Sequence, residues 1–158
     1  MKKALVCGAG GFIGGHLVKR LLLNNCNVTA VDMKNFKDWY QVHNSANNIK
    51  LDLQYYDNCV KALNNATVVY NLAADMGGMG FIETNKTSCM LSVLINTNLL
   101  KAGKDNIKKY FFSSSACVYA ANKQNNTKNV GLKESDAYPA CPEDGYGWEK
   151  LFSERMCN

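Results

Sequence analysis

The chain has 158 residues, of which 47% are hydrophobic, 20% are charged and two are proline. This composition is typical of a folded protein, and it excludes a disordered chain. No apolar run approaches the roughly 18 residues of a membrane span. The net charge is +5, but the lysines are scattered singly or in pairs and form no basic stripe for nucleic acid. We therefore expect one domain over residues 1–158, with no nucleic-acid or membrane partner.

The seven cysteines are odd in number, and none belongs to a Cys-x-x-Cys pair. This pattern predicts reduced thiols rather than a disulfide framework or a zinc site. The first residues reach Gly8 after a short apolar run, which argues against a signal peptide. We therefore expect a cytoplasmic location and no bound metal.

Short apolar or β-branched runs alternate with segments of helical periodicity along the chain. The predicted strands cover residues 3–7, 28–32, 49–53, 67–72 and 109–113. The predicted helices cover residues 17–22, 57–63, 87–103 and 146–158, and a polar loop covers 122–133. Strands separated by helices require crossover connections, which predicts an α/β fold with a doubly wound parallel sheet. Ligands of such sheets bind beyond the carboxyl ends of the strands.

The first predicted strand runs directly into a glycine-rich turn. Gly8, Gly11 and Gly14 form Gly-x-x-Gly-x-x-Gly, and Phe12 and Ile13 precede the last glycine. Glycines let the backbone approach a pyrophosphate, and the helix that follows supplies amide donors and the positive end of its dipole. A tight turn without a ligand is the alternative. The position between a first strand and a helix favours a dinucleotide.

The ends of the next three strands complete a cofactor site. Asp32 closes the second strand, where an acid accepts hydrogen bonds from the adenosine ribose and disfavours a 2′-phosphate. A turn or helix-cap aspartate is the alternative. Asp52 and Leu53 end the third strand next to the expected adenine, and Ala73 follows the fourth strand with a side chain small enough for close approach. The sequence therefore predicts a Rossmann-like domain that binds NAD rather than NADP.

Tyr146 and Lys150 form a Tyr-x-x-x-Lys pair on the last predicted helix. Residues four apart share one helix face. A phenol with a pKa of about 10 is a poor base at neutral pH, and a nearby cation lowers that pKa. An exposed pair on an amphipathic helix is the alternative, but the pair follows a nucleotide-binding pattern and a serine cluster. We therefore expect Tyr146 to act as a general base and both residues to contact the cofactor.

Three segments carry a family resemblance, and they cover residues 71–82, 114–119 and 132–137. The first contains Ala-Asp-Met-Gly-Gly-Met-Gly-Phe, which is more discriminating than a glycine loop. The chain resembles the extended short-chain dehydrogenase/reductases of the NAD-dependent epimerase/dehydratase family. Within that family it is most similar to the N-terminal portion of the GDP-mannose 3,5-epimerases.

This resemblance implies a reaction on a nucleotide sugar, GDP-mannose in these epimerases. Tyr146 would act as base with Ser115 and Lys150 assisting, while C4 of the sugar is transiently oxidised with NAD as hydride acceptor. Cys117 would move a proton at C3 or C5, a role that suits a thiol with a reference pKa of about 8.5. A small buried hydrophobic residue is the alternative for Cys117. The residues implied to contact the nucleotide sugar are Gly77, Ser115, Ala116 and Cys117.

The chain also departs from the family pattern. Cys7 stands where the family usually has threonine, and Ser92 where it usually has an asparagine that supports the catalytic residues. Asn158 follows Tyr-x-x-x-Lys by one helix, so we expect the sugar-nucleotide domain and the second acid to lie outside this chain. A GDP-fucose synthase-like epimerase/reductase, a non-catalytic NAD-binding module and half of a split enzyme remain alternatives. A homodimer or a C-terminal partner chain is a possible assembly.

Overall fold

The computed structural model describes residues 2–125 and 131–158. The chain divides into two compact units. The first unit comprises Met1–Ala74 and Leu94–Ser113, and the second unit comprises Asp75–Val93 and Ser114–Asn158.

The first unit is built on a five-stranded parallel sheet in the order β3-β2-β1-β4-β5. The strands are β1 (Lys3–Cys7), β2 (Asn27–Asp32), β3 (Asn47–Lys50), β4 (Val68–Asn71) and β5 (Lys109–Phe112). The helices of the chain are α1 (Phe12–Leu23), α2 (Tyr56–Leu63), α3 (Met79–Thr84), α4 (Lys86–Gly103), α5 (Ala121–Gln124) and α6 (Gly145–Cys157). The order reverses after β3, so that β1 lies between β2 and β4, as in doubly wound sheets.

Both faces of this sheet are buried, which explains why its central strand is a continuous apolar run. Leu5 and Cys7 of β1 belong to one core cluster, which also contains residues of α2 and α4. Ala4 and Val6 belong to a second cluster, which contains residues of α1. Successive side chains of a strand point to opposite faces, so the alternation places helices on both sides of the sheet. The predicted α/β, Rossmann-like doubly wound sheet is therefore confirmed.

The structure corrects the predicted elements in three places. Strand β3 ends at Lys50 rather than residue 53, because Asp52 begins a turn in which its Oδ1 accepts the N–H of Gln54 at 2.9 Å. Helix α3 was not predicted, since it is only six residues long and contains Gly80. The predicted loop over residues 122–133 begins within the short helix α5, and its residues 126–130 lie outside the described residues.

The second unit contains α3, α5, α6 and the first part of α4. Helix α6 begins after Asp144, whose carboxylate accepts the N–H of Gly147 at 2.7 Å. Such a cap satisfies an amide that the first helical turn cannot bond internally. No helix in residues 2–125 and 131–158 is long and apolar enough to cross a membrane.

Candidate functional site

The glycine turn of the first unit closes tightly against its surroundings. Gly8 has a φ of +78°, and a Cβ there would lie 2.9 Å from the carbonyl of Leu72. A Cβ on Gly14 would overlap the carbonyl oxygen of Gly8 and lie 2.8 Å from the Cα of Ala9. Only glycine therefore lets α1 begin this close to the end of β1, as the sequence predicted.

The start of α1 offers free amide donors. Gly11 is the N-cap residue and contributes no side-chain cap, and no acidic residue lies in the first turn. Phe12 and Ile13 in that turn are 59% and 68% exposed. The first amides of a helix have no intrahelical acceptor and carry the positive end of the dipole. The arrangement fits an anion such as a pyrophosphate.

Asp32 ties the glycine turn to the end of β2. The carboxylate is buried, and its Oδ2 accepts the N–H of Gly10 while its Oδ1 accepts the N–H of Lys34, both at 3.0 Å. Lys34 Nζ in turn donates to the carbonyl of Gly10 at 2.9 Å. A carboxylate has about four lone-pair sites, so these two bonds leave capacity for ribose hydroxyls. Asp32 therefore shapes the turn in addition to its predicted role toward the ribose.

Asp32→Ala is expected to destabilise the folded chain by about 1–3 kcal/mol, because two backbone amides lose a buried acceptor. The measurement is the urea midpoint at constant m-value. Asp38→Ala is the matched control, since Asp38 is exposed and a surface change of this kind costs about 0.5 kcal/mol or less. Equal urea midpoints for the two variants would contradict the anchoring role.

Lys34 and Trp39, two residues that support this turn, were missed by the sequence analysis. A Cβ on Gly10 would lie 2.8 Å from the indole of Trp39, so the ring packs directly on the turn. Trp39 Nε1 also donates to the carbonyl of Lys34 at 3.1 Å. Neither residue belongs to a recognisable motif, because their spacing from the glycines depends on the loop after β2.

The other predicted cofactor residues lie at the ends of β3 and β4 in the first unit. Asp52 is half-buried and follows β3. Leu53 is buried in the core, and its carbonyl accepts the thiol of Cys59 at 3.1 Å. Burial raises the pKa of the Cys59 thiol to about 12, with the charge of Asp52 adding to the effect. Ala73 is half-buried and donates its N–H to Asn71 Oδ1 at 3.3 Å.

These features of the first unit fit NAD. The glycine cradle that a Cβ would fill and the free amides of α1 would hold the pyrophosphate, and Asp32 would hold the adenosine ribose. Asp52 would lie toward the adenine, as the sequence predicted. Leu53 was predicted to contact the cofactor, but its side chain is buried in the core beneath the end of β3. It therefore supports the site from the core and is not exposed to the cofactor.

The second unit brings together residues that are distant in sequence. Tyr146, Cys89 and Ile82 form a small buried cluster, and Cys117 packs against it. Ser115 forms a hydrogen bond with the Tyr146 side chain. The structure therefore places three of the predicted catalytic residues, Ser115, Cys117 and Tyr146, in one group.

Close packing between α6 and the 3₁₀ turn Ala116–Val118 holds this group in place. A Cβ on Gly147 would overlap the carbonyl oxygen of Cys117 and lie 2.9 Å from Pro142 Cβ. Ser115 caps the turn, and its Oγ accepts the N–H of Cys117 at 3.2 Å. The glycine beside Tyr146 thus lets the helix carrying the phenol approach the turn that carries the thiol.

The pKa of Tyr146 is raised rather than lowered, which corrects the sequence-based expectation. Burial is the largest cause, the hydrogen bond with Ser115 acts in the opposite direction, and the charge of Cys117 adds a smaller rise. The expected effect of Lys150 is not seen, because its Nζ lies 5.4 Å from the Tyr146 ring centroid and 3.5 Å from Glu149 Oε2. In this structure, the buried cation is paired with a carboxylate rather than with the phenol.

Glu149 was missed by the sequence analysis, although it adjoins Lys150. It is 4% exposed, and Ser153 Oγ donates to its Oε1 at 2.9 Å. The spacing of four residues between Glu149 and Ser153 is a signal that could have suggested this bond. What the spacing could not show is that this side of α6 is buried.

The remaining predicted substrate residues also lie in the second unit. Gly77 precedes α3, and a Cβ there would lie 2.8 Å from Phe81 Cβ, whereas Ala116 is exposed. The adjacent Met76 was not predicted, yet its Sδ accepts the Tyr146 O–H at 3.5 Å. Ser92, the departure from the family pattern, is buried, and its Oγ accepts the N–H of Asp75 at 2.9 Å. Ser92 therefore anchors the loop that carries Met76.

The chain is similar in sequence to known proteins. A model of the NAD dependent epimerase/dehydratase family matches residues 4–158. The chain is 45% identical over 154 residues to GDP-mannose 3,5-epimerase 1 of Oryza sativa subsp. indica, which covers 96% of this chain and 40% of the rice protein. It is 43% identical over 157 residues to GDP-mannose 3,5-epimerase of Arabidopsis thaliana, which covers 98% of this chain and 42% of that protein. The resemblance predicted from the motifs is confirmed, and the chain spans about two fifths of the length of these relatives.

The fold has counterparts among solved structures. The UDP-glucose 4-epimerase of Thermotoga maritima, solved with UDP-glucose, aligns with a TM-score of 0.80 at 22% identity. The alignment covers 98% of this chain and 50% of that chain. At this identity the similarity supports the fold alone.

Proposed function

Because the chain belongs to the NAD-dependent epimerase/dehydratase family, we propose that it is the cofactor-binding and base-bearing part of a nucleotide-sugar epimerase acting on GDP-mannose. NAD is the cofactor of this family, as the sequence predicted. The proposed reaction inverts C3 and C5 of the hexose after transient oxidation at C4. GDP-mannose is proposed because the rice and Arabidopsis relatives bear that substrate in their names.

The observation that carries this proposal is the cluster of proton-transfer groups in the second unit. The Ser115 hydroxyl bonds the Tyr146 phenol, and the Cys117 thiol packs against the same buried cluster. Epimerisation next to a ketone requires a base for the hydroxyl proton at C4 and a second group that moves protons at the neighbouring carbons. One cluster thus holds candidates for both tasks.

Each residue has a distinct part in the proposed reaction. NAD, when bound, supplies the hydride acceptor and donor for C4. Tyr146 takes the proton of the C4 hydroxyl and later returns it, while Ser115 donates a hydrogen bond that favours the phenolate. With C4 at the ketone level the protons on C3 and C5 are acidic, and Cys117 removes or returns one of them. Lys150 is also buried on α6, with its Nζ 5.4 Å from the Tyr146 ring centroid and paired with Glu149, and its proposed part is to stabilise the phenolate once it forms.

The test is incubation of the purified chain with NAD and GDP-mannose in deuterated water, followed by NMR of the sugar protons. Deuterium at C3 or C5 would support the proposal, because each passage through the ketone exposes these protons to solvent exchange. NAD binding without exchange would overturn catalysis by this chain and favour a non-catalytic NAD-binding module or one half of a split enzyme. Exchange with NADP alone would favour the GDP-fucose synthase-like alternative.

Cys117→Ser is expected to lower the exchange rate about 10²-fold, because a hydroxyl is a far weaker acid than a thiol and contributes little proton transfer near neutral pH. The rate is read from the loss of the C3 and C5 proton signals. Cys141→Ser is the control, since Cys141 is an exposed free thiol in the same unit. Exchange in Cys117→Ser at the rate of Cys141→Ser would remove Cys117 from the mechanism.

The cellular location and the assembly of the chain are also predictions. The cytoplasmic location is supported by the free state of all seven cysteines, and fractionation of cells that express the protein would test it. A homodimer or a partner chain is tested by light scattering of the purified protein with and without NAD.

A further inference from the structure

A buried ion pair on α6 adjoins the proposed base. Glu149 and Lys150 are 4% and 3% exposed, and their Oε2 and Nζ atoms are 3.5 Å apart. Ser153, which is also fully buried, donates to the other carboxylate oxygen at 2.9 Å. Charged side chains are almost never buried unless they are paired, so this trio requires a physical explanation.

The Lys150 ammonium compensates the negative charge of the buried Glu149 carboxylate. Among the described residues, Glu149 Oε2 is buried and accepts no hydrogen bond of good geometry. The Lys150 ammonium at 3.5 Å supplies the nearest opposite charge that the structure records for this oxygen. A buried charge without such a partner would neutralise itself by losing or gaining a proton. Each member of the pair therefore favours the ionised form of the other.

We propose that Glu149 is a positioning residue, whose buried carboxylate keeps the Lys150 ammonium charged and holds it in place on α6. This role rests on the proposed function, in which the Lys150 cation stabilises the phenolate of Tyr146. Glu149 itself touches neither the phenol oxygen nor the thiol in the recorded contacts, so it acts through Lys150.

The electrostatics of the pair agree with this role. Burial lowers the pKa of Lys150, and the charge of Glu149 opposes that fall. Burial raises the pKa of Glu149, and the charge of Lys150 opposes that rise. Removing the carboxylate would remove a charge that opposes the effect of burial, so the equilibrium at Lys150 would shift toward the neutral amine.

A direct action of Glu149 on Tyr146 is the competing explanation. The charges that raise the pKa of Tyr146 come from Cys117, Glu149 and Cys89, and Cys89 in turn faces Asp75, Asp144 and Glu149. If Glu149 acted only through this repulsion, its removal would lower the pKa of Tyr146 and make the phenol a better base. The proposal predicts the opposite, a loss of activity, because the cation beside the phenol is discharged.

The experiment compares the full chain with Glu149→Gln, which keeps the shape of the side chain and an acceptor for Ser153. The ε-carbons of lysine, labelled with ¹³C, are titrated by NMR, and Lys150→Met identifies the Lys150 signal. The pKa of Lys150 is expected to fall by about 1–3 pH units in Glu149→Gln, as for a group that loses an opposite charge at this distance. An unchanged Lys150 titration in Glu149→Gln would overturn the proposal.

The matched control is Glu154→Gln on the same helix. Glu154 is four residues from Lys150, the spacing at which surface ion pairs form, but it is only partly buried. We expect Lys150 to titrate in this variant as in the unaltered chain. An equal fall in both variants would show a general effect of charge on α6 and would also overturn the proposal.

A reciprocal measurement covers the case in which Glu149→Gln does not fold. Coupling between two sites is the same in both directions, so Lys150→Met should raise the pKa of the Glu149 carboxyl by a similar amount. The carboxyl is followed through its ¹³Cδ resonance. A Glu149 carboxyl that titrates unchanged in Lys150→Met would contradict the proposed coupling.

The consequence for catalysis is read separately in the deuterium exchange assay. Glu149→Gln is expected to lower the exchange turnover at least tenfold with less than about a twofold change in the KM for GDP-mannose, and Glu149→Asp is expected to restore part of the turnover. If the unaltered chain shows no exchange but the pKa of Lys150 still falls in Glu149→Gln, the coupling of the ion pair is supported and the proposed function is contradicted. If exchange occurs and Glu149→Gln leaves it unchanged, the positioning role fails and the proposed function stands.

Discussion

Replacing Tyr146 with phenylalanine is expected to lower deuterium exchange at C3 and C5 of GDP-mannose by about 10²–10⁴-fold, the contribution typical of a general base. The substitution removes one oxygen atom from a ring that is 4% exposed. Its loss breaks the bond with Ser115 and the contact of 3.5 Å with Met76 Sδ. The ring itself remains in the cluster with Ile82 and Cys89, so the fold should be kept.

The control for this prediction is Tyr138→Phe in the same unit. Tyr138 is 45% exposed and belongs to no part of the catalytic cluster, so exchange should match that of the unaltered chain. The affinity for NAD, measured by calorimetry, separates chemistry from cofactor binding. Exchange in Tyr146→Phe within about threefold of the Tyr138→Phe rate would exclude Tyr146 as the base.

The pH dependence of exchange provides a second check on Tyr146. Burial raises the pKa of its phenol above the usual value, so at neutral pH only a small fraction is in the basic form. The exchange rate should therefore rise with pH, by about tenfold per unit while the phenol stays mostly protonated. This rise should disappear from the residual rate of Tyr146→Phe.

Gly14→Ala is expected to weaken NAD binding by about 10²-fold or more, a loss of about 2.7 kcal/mol. The new Cβ would overlap the carbonyl oxygen of Gly8 and lie 2.8 Å from the Cα of Ala9. These are backbone atoms, which cannot move aside as a flexible side chain can. The start of α1 must therefore shift away from the turn, and its amide donors lose the position that a pyrophosphate requires. Calorimetric titration with NAD measures the effect.

Gly80→Ala is the matched control for this substitution. A Cβ at Gly80 would meet no atom within 4 Å, so the same chemical change should leave NAD binding unaltered. Circular dichroism of both variants shows whether Gly14→Ala retains its secondary structure. A folded Gly14→Ala chain that binds NAD with the affinity of Gly80→Ala would show that the turn is not the pyrophosphate site.

Much of the first unit could be predicted from the sequence because its signals are local. Gly8 must adopt a φ of +78° and Gly14 must tolerate close backbone contact, and glycine meets both needs. The apolar run of β1 predicted a strand buried on both faces. Asp32 was correctly placed at the end of β2. Its two bonds to the amides of Gly10 and Lys34 were not foreseen, since they depend on how the turn folds back.

The sequence by itself thus determined the alternation of strands and helices, the glycine turn and the position of Tyr146 and Lys150 on one helix. Each of these follows from spacing along the chain. Only the tertiary structure decided how deeply these groups are buried and in which direction their pKa values shift. Tyr146, Glu149 and Lys150 are all buried, and Tyr146 packs against Ile82 and Cys89, which are distant in sequence. Burial raises the pKa of the phenol, and the Lys150 ammonium is paired with the Glu149 carboxylate. The cost of removing a charge from water depends on every group packed around it, and no local pattern contains that information.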